Sequence, residues 1–93
     1  MQGIKVSTTE HGDRYVAEVT VHEGRSETRH RVTLLKTDHH RLCRAGASPQ
    51  VLVEESFRLL LEREPKESIL SSFDLVVIGR YFPEFEREIQ KRL

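Results

Sequence analysis

"RYVAEVTVHEGRSETRHRVTLL", residues 14–35, decides the architecture. Tyr15, Ala17, Val19 and Val21 alternate with Val16, Glu18, Thr20 and His22. Past a glycine, Thr28, His30, Val32 and Leu34 alternate with Arg29, Arg31, Thr33 and Leu35. A period of two marks strands with one face turned to a core. Working outward, Ile4, Val6 and Thr8 alternate in the same way with Lys5, Ser7 and Thr9. "EHGD" and "HEGR" separate the three runs, each with a glycine free to take the positive φ of a tight hairpin.

Pairing the strands about His11 and Gly12 sets Val6 opposite Ala17 and Thr8 opposite Tyr15. Pairing about Glu23 and Gly24 sets Ala17 opposite His30 and Tyr15 opposite Val32. The apolar set then stays on one face, and a one-residue slip would turn it to solvent. The expectation is a three-stranded antiparallel meander.

From residue 37 the period lengthens. "TDHHRLCRAG" offers Thr37 or Asp38 as a cap and Gly46 as a stop, enough for a two-turn helix. "SPQVLVEESFRLLLERE" begins with Ser48 as N-cap and Pro49 at the first helical position, and Val53, Phe57, Leu60 and Leu61 line one face. Pro65 limits that helix, and "PKESILSS" reads as a turn with a short helical piece. In "FDLVVIGRYFPEFEREI", residues 73–89, Leu75, Ile78, Phe82, Phe85 and Ile89 follow at steps of 3, 4, 3 and 4. That apolar stripe favours one helix kinked at Pro83 over a helix that stops near Tyr81 and restarts at the proline. The whole is an α+β domain over residues 1–93, with a β-meander in 1–36 and a helical part in 37–93. Two or three helices pack on one face of the sheet and take the large apolar side chains, Phe57, Phe82 and Phe85 included, into the interior.

Composition narrows the function. Among 93 residues, 37% are hydrophobic and 32% charged, with 15 basic and 15 acidic side chains and no net charge. A protein built to grip a phosphate backbone carries a basic excess that is missing here. One cysteine, Cys43, leaves no intrachain disulfide to form. No apolar run approaches the roughly 18 residues that span a bilayer, and the first residues lack a signal-peptide pattern. A cytoplasmic protein that does not engage membranes is expected.

Chemistry is hard to find. His39 and His40 are adjacent and would diverge by about 100° on a helix. His39 and Cys43 share a helical face, but a structural zinc site wants four ligands. Arg41 and Arg44 flank Cys43 and could lower its pKa, whereas burial would leave it inert. His30 falls on the core face, where a histidine is ordinarily a satisfied core residue. Glu54, Glu55, Glu62 and Glu64, like Glu84, Glu86 and Glu88, lie at helical spacings from basic partners. No glycine-rich phosphate loop, G-x-S-x-G elbow or HExxH occurs. We expect no catalytic residues, no metal and no cofactor.

The outer sheet face is the remaining surface. Lys5, Arg29 and Arg31 project from it among Thr9, Thr20 and Thr33, with Arg14 and Arg25 beside the turns. An open sheet of this kind takes a protein partner or a second copy by edge pairing or face burial. The expectation is thus a non-enzymatic protein-interaction or regulatory module, with RNA on the basic face as the alternative. The β-β-β-α order is similar to the later part of a double-stranded-RNA-binding domain, but "SPQVLVEES" stands where that module has a lysine-rich helix start. RNA-binding sheets also stack bases on exposed aromatics, and none is expected here.

The ending "EPKESIL..FDL..I..YFPEFE", within residues 59–88, resembles that of a group of small bacterial proteins that share a β-meander front. The resemblance implies a bacterial cytosolic protein. It carries no activity, substrate or site residue.

Overall fold

The computed structural model describes the backbone of residues 2–93 and the side chains of residues 3–93. Three long strands, β1 (Gln2–His11), β2 (Arg14–Glu23) and β3 (Ser26–Leu35), form the antiparallel meander. Helices α1 (Lys36–Leu42) and α2 (Pro49–Arg63) follow. A 3₁₀ turn at Lys66–Ser68 leads into a short strand, β4 (Ser72–Asp74), and a second such turn at Leu75–Val77 leads into the single turn α3 (Ile78–Tyr81). The last helix, α4 (Phe85–Arg92), closes the described chain.

The sheet has four strands in the order β1-β2-β3-β4, not three. β4 lies parallel to β3, Val32 facing Phe73, and Arg31 N–H donates to the Ser71 carbonyl at 2.7 Å. Parallel neighbours require a long crossover, and α1 and α2 supply it. β4 spans too few residues to show a period; only Phe73 turns inward.

The two hairpins keep the expected faces but pair two residues further along. Thr8 faces Ala17 and Ala17 faces Val32, so the loops are Gly12 with Asp13 and Gly24 with Arg25. Gly12 (φ 59°) and Gly24 (φ 61°) occupy the first loop position, and no other described residue has positive φ except Gly46. Positive φ at the first loop residue alone is the type II′ pattern, whose twist suits the strands. The expected register placed each glycine second in its loop, where a type II′ turn would put the positive φ on His11 and Glu23 instead.

The core lies between the inner sheet face and the helices. Ala17, Val19, Val21, Val32 and Leu34 meet Leu52, Val53, Phe57 and Leu60 of α2, and Leu75, Ile78, Phe85 and Ile89 complete it. The buried surface of α2 also takes in Ser56 and Leu59, while Leu61 is only half-buried. This helix packs against β1 and β2 on one side and α4 on another, so its apolar face is wider than a single stripe. Ser48 Oγ accepts from Val51 N–H at 3.2 Å, the expected N-cap. α1, by contrast, begins at Lys36, before Thr37 and Asp38, and has no side-chain cap; Lys36 N–H donates instead to the Asp13 carbonyl at 2.9 Å.

The C-terminal stripe is not one kinked helix. α3 stops at Tyr81, Phe82 is extended at φ −130° and ψ 89°, and α4 restarts at Phe85. Proline cannot donate to the Gly79 carbonyl, and its ring drives the preceding residue out of the helical region. Periodicity kept Phe82 on the core stripe; the break leaves it half-exposed.

Two substitutions test this packing by urea denaturation. Phe57, fully buried, should lose about 3–5 kcal/mol of stability as Phe57→Ala. Gly24→Ala meets no neighbouring atom, so its expected loss of about 1–2 kcal/mol is that of the positive φ alone.

Candidate functional site: an apolar groove beside the helix break

Of the residues singled out for chemistry, His30, His39 and Cys43 are spent on structure, and His40 is exposed. His30 is buried. Its Nδ1 donates to the Leu70 carbonyl at 2.8 Å, and its Nε2 accepts from the Thr28 hydroxyl at 2.9 Å. The carbonyl can only accept, which fixes the neutral tautomer as Nδ1–H. His39 Nε2 donates to the Ala47 carbonyl at 2.8 Å, and its ring meets Tyr15 edge-on at 5.6 Å. Cys43 is buried, and that burial pushes its thiol pKa up, the opposite of what its flanking arginines would do. No group of three or more metal-ligating side chains occurs among the described residues.

The basic sheet face is largely answered by acid. Lys5, Arg29 and Arg31 do share the outer face, with Thr20 between Lys5 and Arg29 in register. Arg31 Nε, however, reaches Glu18 at 2.7 Å across the strands, and Arg29 Nε reaches Glu27 at 3.0 Å. Arg14, at the far end, bonds Asp13 at 3.0 Å, and its guanidinium holds that carboxyl below its ordinary value. Lys5 and Arg25 have no carboxylate within ion-pair reach among the described residues, and they stand at separate places on the sheet.

The surface that sequence reasoning missed lies on the helical side. A groove of about 300 Å³ runs between the end of α2, the 68–70 loop, β4 and α3. Phe73 and Ile69 line it with Val77 and Phe82, while Leu70 and Tyr81 stand at its margins, 49% and 66% exposed. Glu64 and Ser68 are its polar members. The helix break makes one wall: in a continuous helix Phe82 would lie over Ile78 on the buried stripe. Instead, the Phe82 ring lies under the Arg63 guanidinium at 5.4 Å, and Arg63 pairs in turn with Glu84.

His30 and Phe57 hold the other wall. The Leu70 carbonyl is tied to His30, while the Phe57 ring lies 5.3 Å from His30 and 6.1 Å from Phe73. Lys66, almost wholly buried, reaches Glu67 at 2.5 Å, and that bond lowers the Glu67 carboxyl pKa. Ser26 Oγ, at the start of β3, donates to the same carboxylate at 3.4 Å, so the loop meets β3 at Glu67 as well as at Leu70. In the sequence, the signals for this groove were the proline itself and the apolar Ile69 and Leu70 inside a polar turn.

A comparison with known families, curated proteins and solved structures finds none that matches the chain. No helix among the described residues is long and apolar enough to cross a membrane.

Two outcomes follow from this geometry. His30→Leu strands the Leu70 carbonyl without its donor and should lower stability by about 1–3 kcal/mol in a denaturant titration. Cys43 should react with an aromatic disulfide reagent at neutral pH only as fast as the protein opens, and at once in denaturant.

Proposed function

We propose that the chain is a non-enzymatic protein-interaction module that receives an apolar segment of a partner protein in the groove beside Pro83. The single observation behind this reading is where the exposed apolar surface sits. Of the four large hydrophobic side chains that stand well out of the fold among the described residues, Leu70 and Tyr81 flank the same groove. Contiguous exposed apolar surface with a polar rim is a mark of interaction sites. A tyrosine at such a rim is a favoured anchor, with a large apolar body and little side-chain entropy to lose.

The lining offers little for catalysis. Among the described residues, Glu64 and Ser68 are its only ionisable and hydroxyl-bearing members apart from Tyr81. No imidazole or amine among the described residues lines the groove to activate either. A bacterial cytoplasmic setting belongs to the same proposal and rests on the C-terminal resemblance. RNA on the sheet face is the weaker reading, since Glu18, Glu27 and Asp13 offset three of its five basic residues.

Selection of displayed peptides on the folded protein tests the reading. Peptides with two or more large apolar anchors should enrich. Against the double substitution Leu70→Glu and Tyr81→Glu their affinity should fall at least about tenfold, roughly 1.4 kcal/mol. Both side chains are exposed, so the fold should change by less than about 1 kcal/mol for the pair. Failure to enrich any such peptide, or equal binding to the double variant, would contradict the proposal.

A further inference from the structure

We infer that β1 pairs with the β1 of a second copy, antiparallel and centred on Val6, joining two four-stranded sheets into one. The inference stands on the sheet edge and needs nothing of the groove.

β1 runs ten residues with unbroken register against β2 and, among the described residues, has no strand on its other side. It contains no proline and no bulge, two of the devices that ordinarily blunt an edge. Which backbone groups face outward follows from the hairpin. In a two-residue loop the flanking pair, here His11 and Arg14, exchanges both hydrogen bonds. Alternate residues do the same, so Thr9, Ser7, Lys5 and Gly3 point their N–H and C=O groups at β2. Those of Gln2, Ile4, Val6, Thr8 and Glu10 point away from the sheet. β3 obeys the same alternation: the outward N–H of Arg31 is the one that meets Ser71.

A dimer through one shared edge is isologous, and strands paired across its two-fold axis run antiparallel. With Val6 opposite Val6 of the second copy, Ile4 faces Thr8, and Ile4, Val6 and Thr8 all form hydrogen-bonded pairs. On the solvent face Lys5 falls opposite Ser7, and Gly3 opposite Thr9. The neighbouring registers that keep the faces matched are worse. Moved two residues one way, Lys5 faces Lys5; moved the other way, Ile4 faces Glu10. The Val6 register also overlaps the strand along nearly its whole length. Ile4 and Val6, half-buried in one copy, would gain cover from their counterparts.

Sedimentation of the full chain with three variants tests this. Wild type should be in concentration-dependent equilibrium with a dimer. Val6→Pro removes an outward N–H without touching the β1–β2 ladder, and should leave the folded protein monomeric. Ser7→Lys sets a cation opposite Lys5 and should weaken the dimer, while Ser7→Glu should tighten it. The twofold axis makes each substitution act in two symmetric pairs, so the two constants should differ by roughly fourfold or more. Circular dichroism confirms that each variant is folded. A strictly monomeric wild type would overturn the inference. So would a dimer indifferent to Val6→Pro, or Ser7 variants ordered the other way. A dimer abolished by Leu70→Glu with Tyr81→Glu, yet kept by Val6→Pro, would move the interface to the groove and overturn it equally.

Discussion

The contact between Phe57 and His30 is the constraint on which the rest of the structure depends. Phe57 carries α2 into the centre of the core, and its ring touches both the sheet, through His30, and the added strand, through Phe73. His30 is the polar member of that cluster and is fully satisfied, one nitrogen on β3's own Thr28 and the other on the Leu70 carbonyl. A buried polar group satisfied in this way specifies one arrangement, because any displacement leaves an unpaired donor or acceptor in an apolar place. The 66–74 segment is thereby fixed to the sheet although it has little regular structure of its own.

Fixing that segment has a consequence at the C-terminus. β4 and the 3₁₀ turn behind it deliver the chain to α3, and Pro83 ends that helix after a single turn. The core stripe resumes at Phe85, so Leu75, Ile78, Phe85 and Ile89 are buried while Tyr81 and Phe82 are displaced toward solvent. A groove forms between a clamped loop and a broken helix. Neither of these walls is a long element, and the loop side rests on Phe57 through His30 and Phe73.

The strands, their faces and α2 with its Ser48 cap were legible in the residues, because period and capping are local signals. Turn type was not: both hairpins shift by two residues once the glycines occupy the first loop position. β4 escaped because three residues carry no periodicity and its partner, β3, lies some forty positions away. The direction of Phe82 was ambiguous for a different reason. Stripe continuity and proline sterics gave opposed answers, and the local steric term prevailed over the chance to bury one more ring. Of the candidate site, the basic sheet face was legible as a pattern of positions. Its neutralisation was only partly so: Glu27 stands two residues before Arg29 on the same strand, whereas the Glu18 partner of Arg31 is a cross-strand neighbour that only the true register defines.

The account stands or falls on the state of residues 78–85 in solution. Backbone carbon shifts together with ring contacts from nuclear Overhauser spectroscopy report it directly. Helical shifts should be interrupted at Phe82 and Pro83, with the Phe82 ring close to the Arg63 side chain. Unbroken helical shifts from residue 75 to residue 92, with the Phe82 ring seen only by core residues, would contradict the break and remove the groove with it.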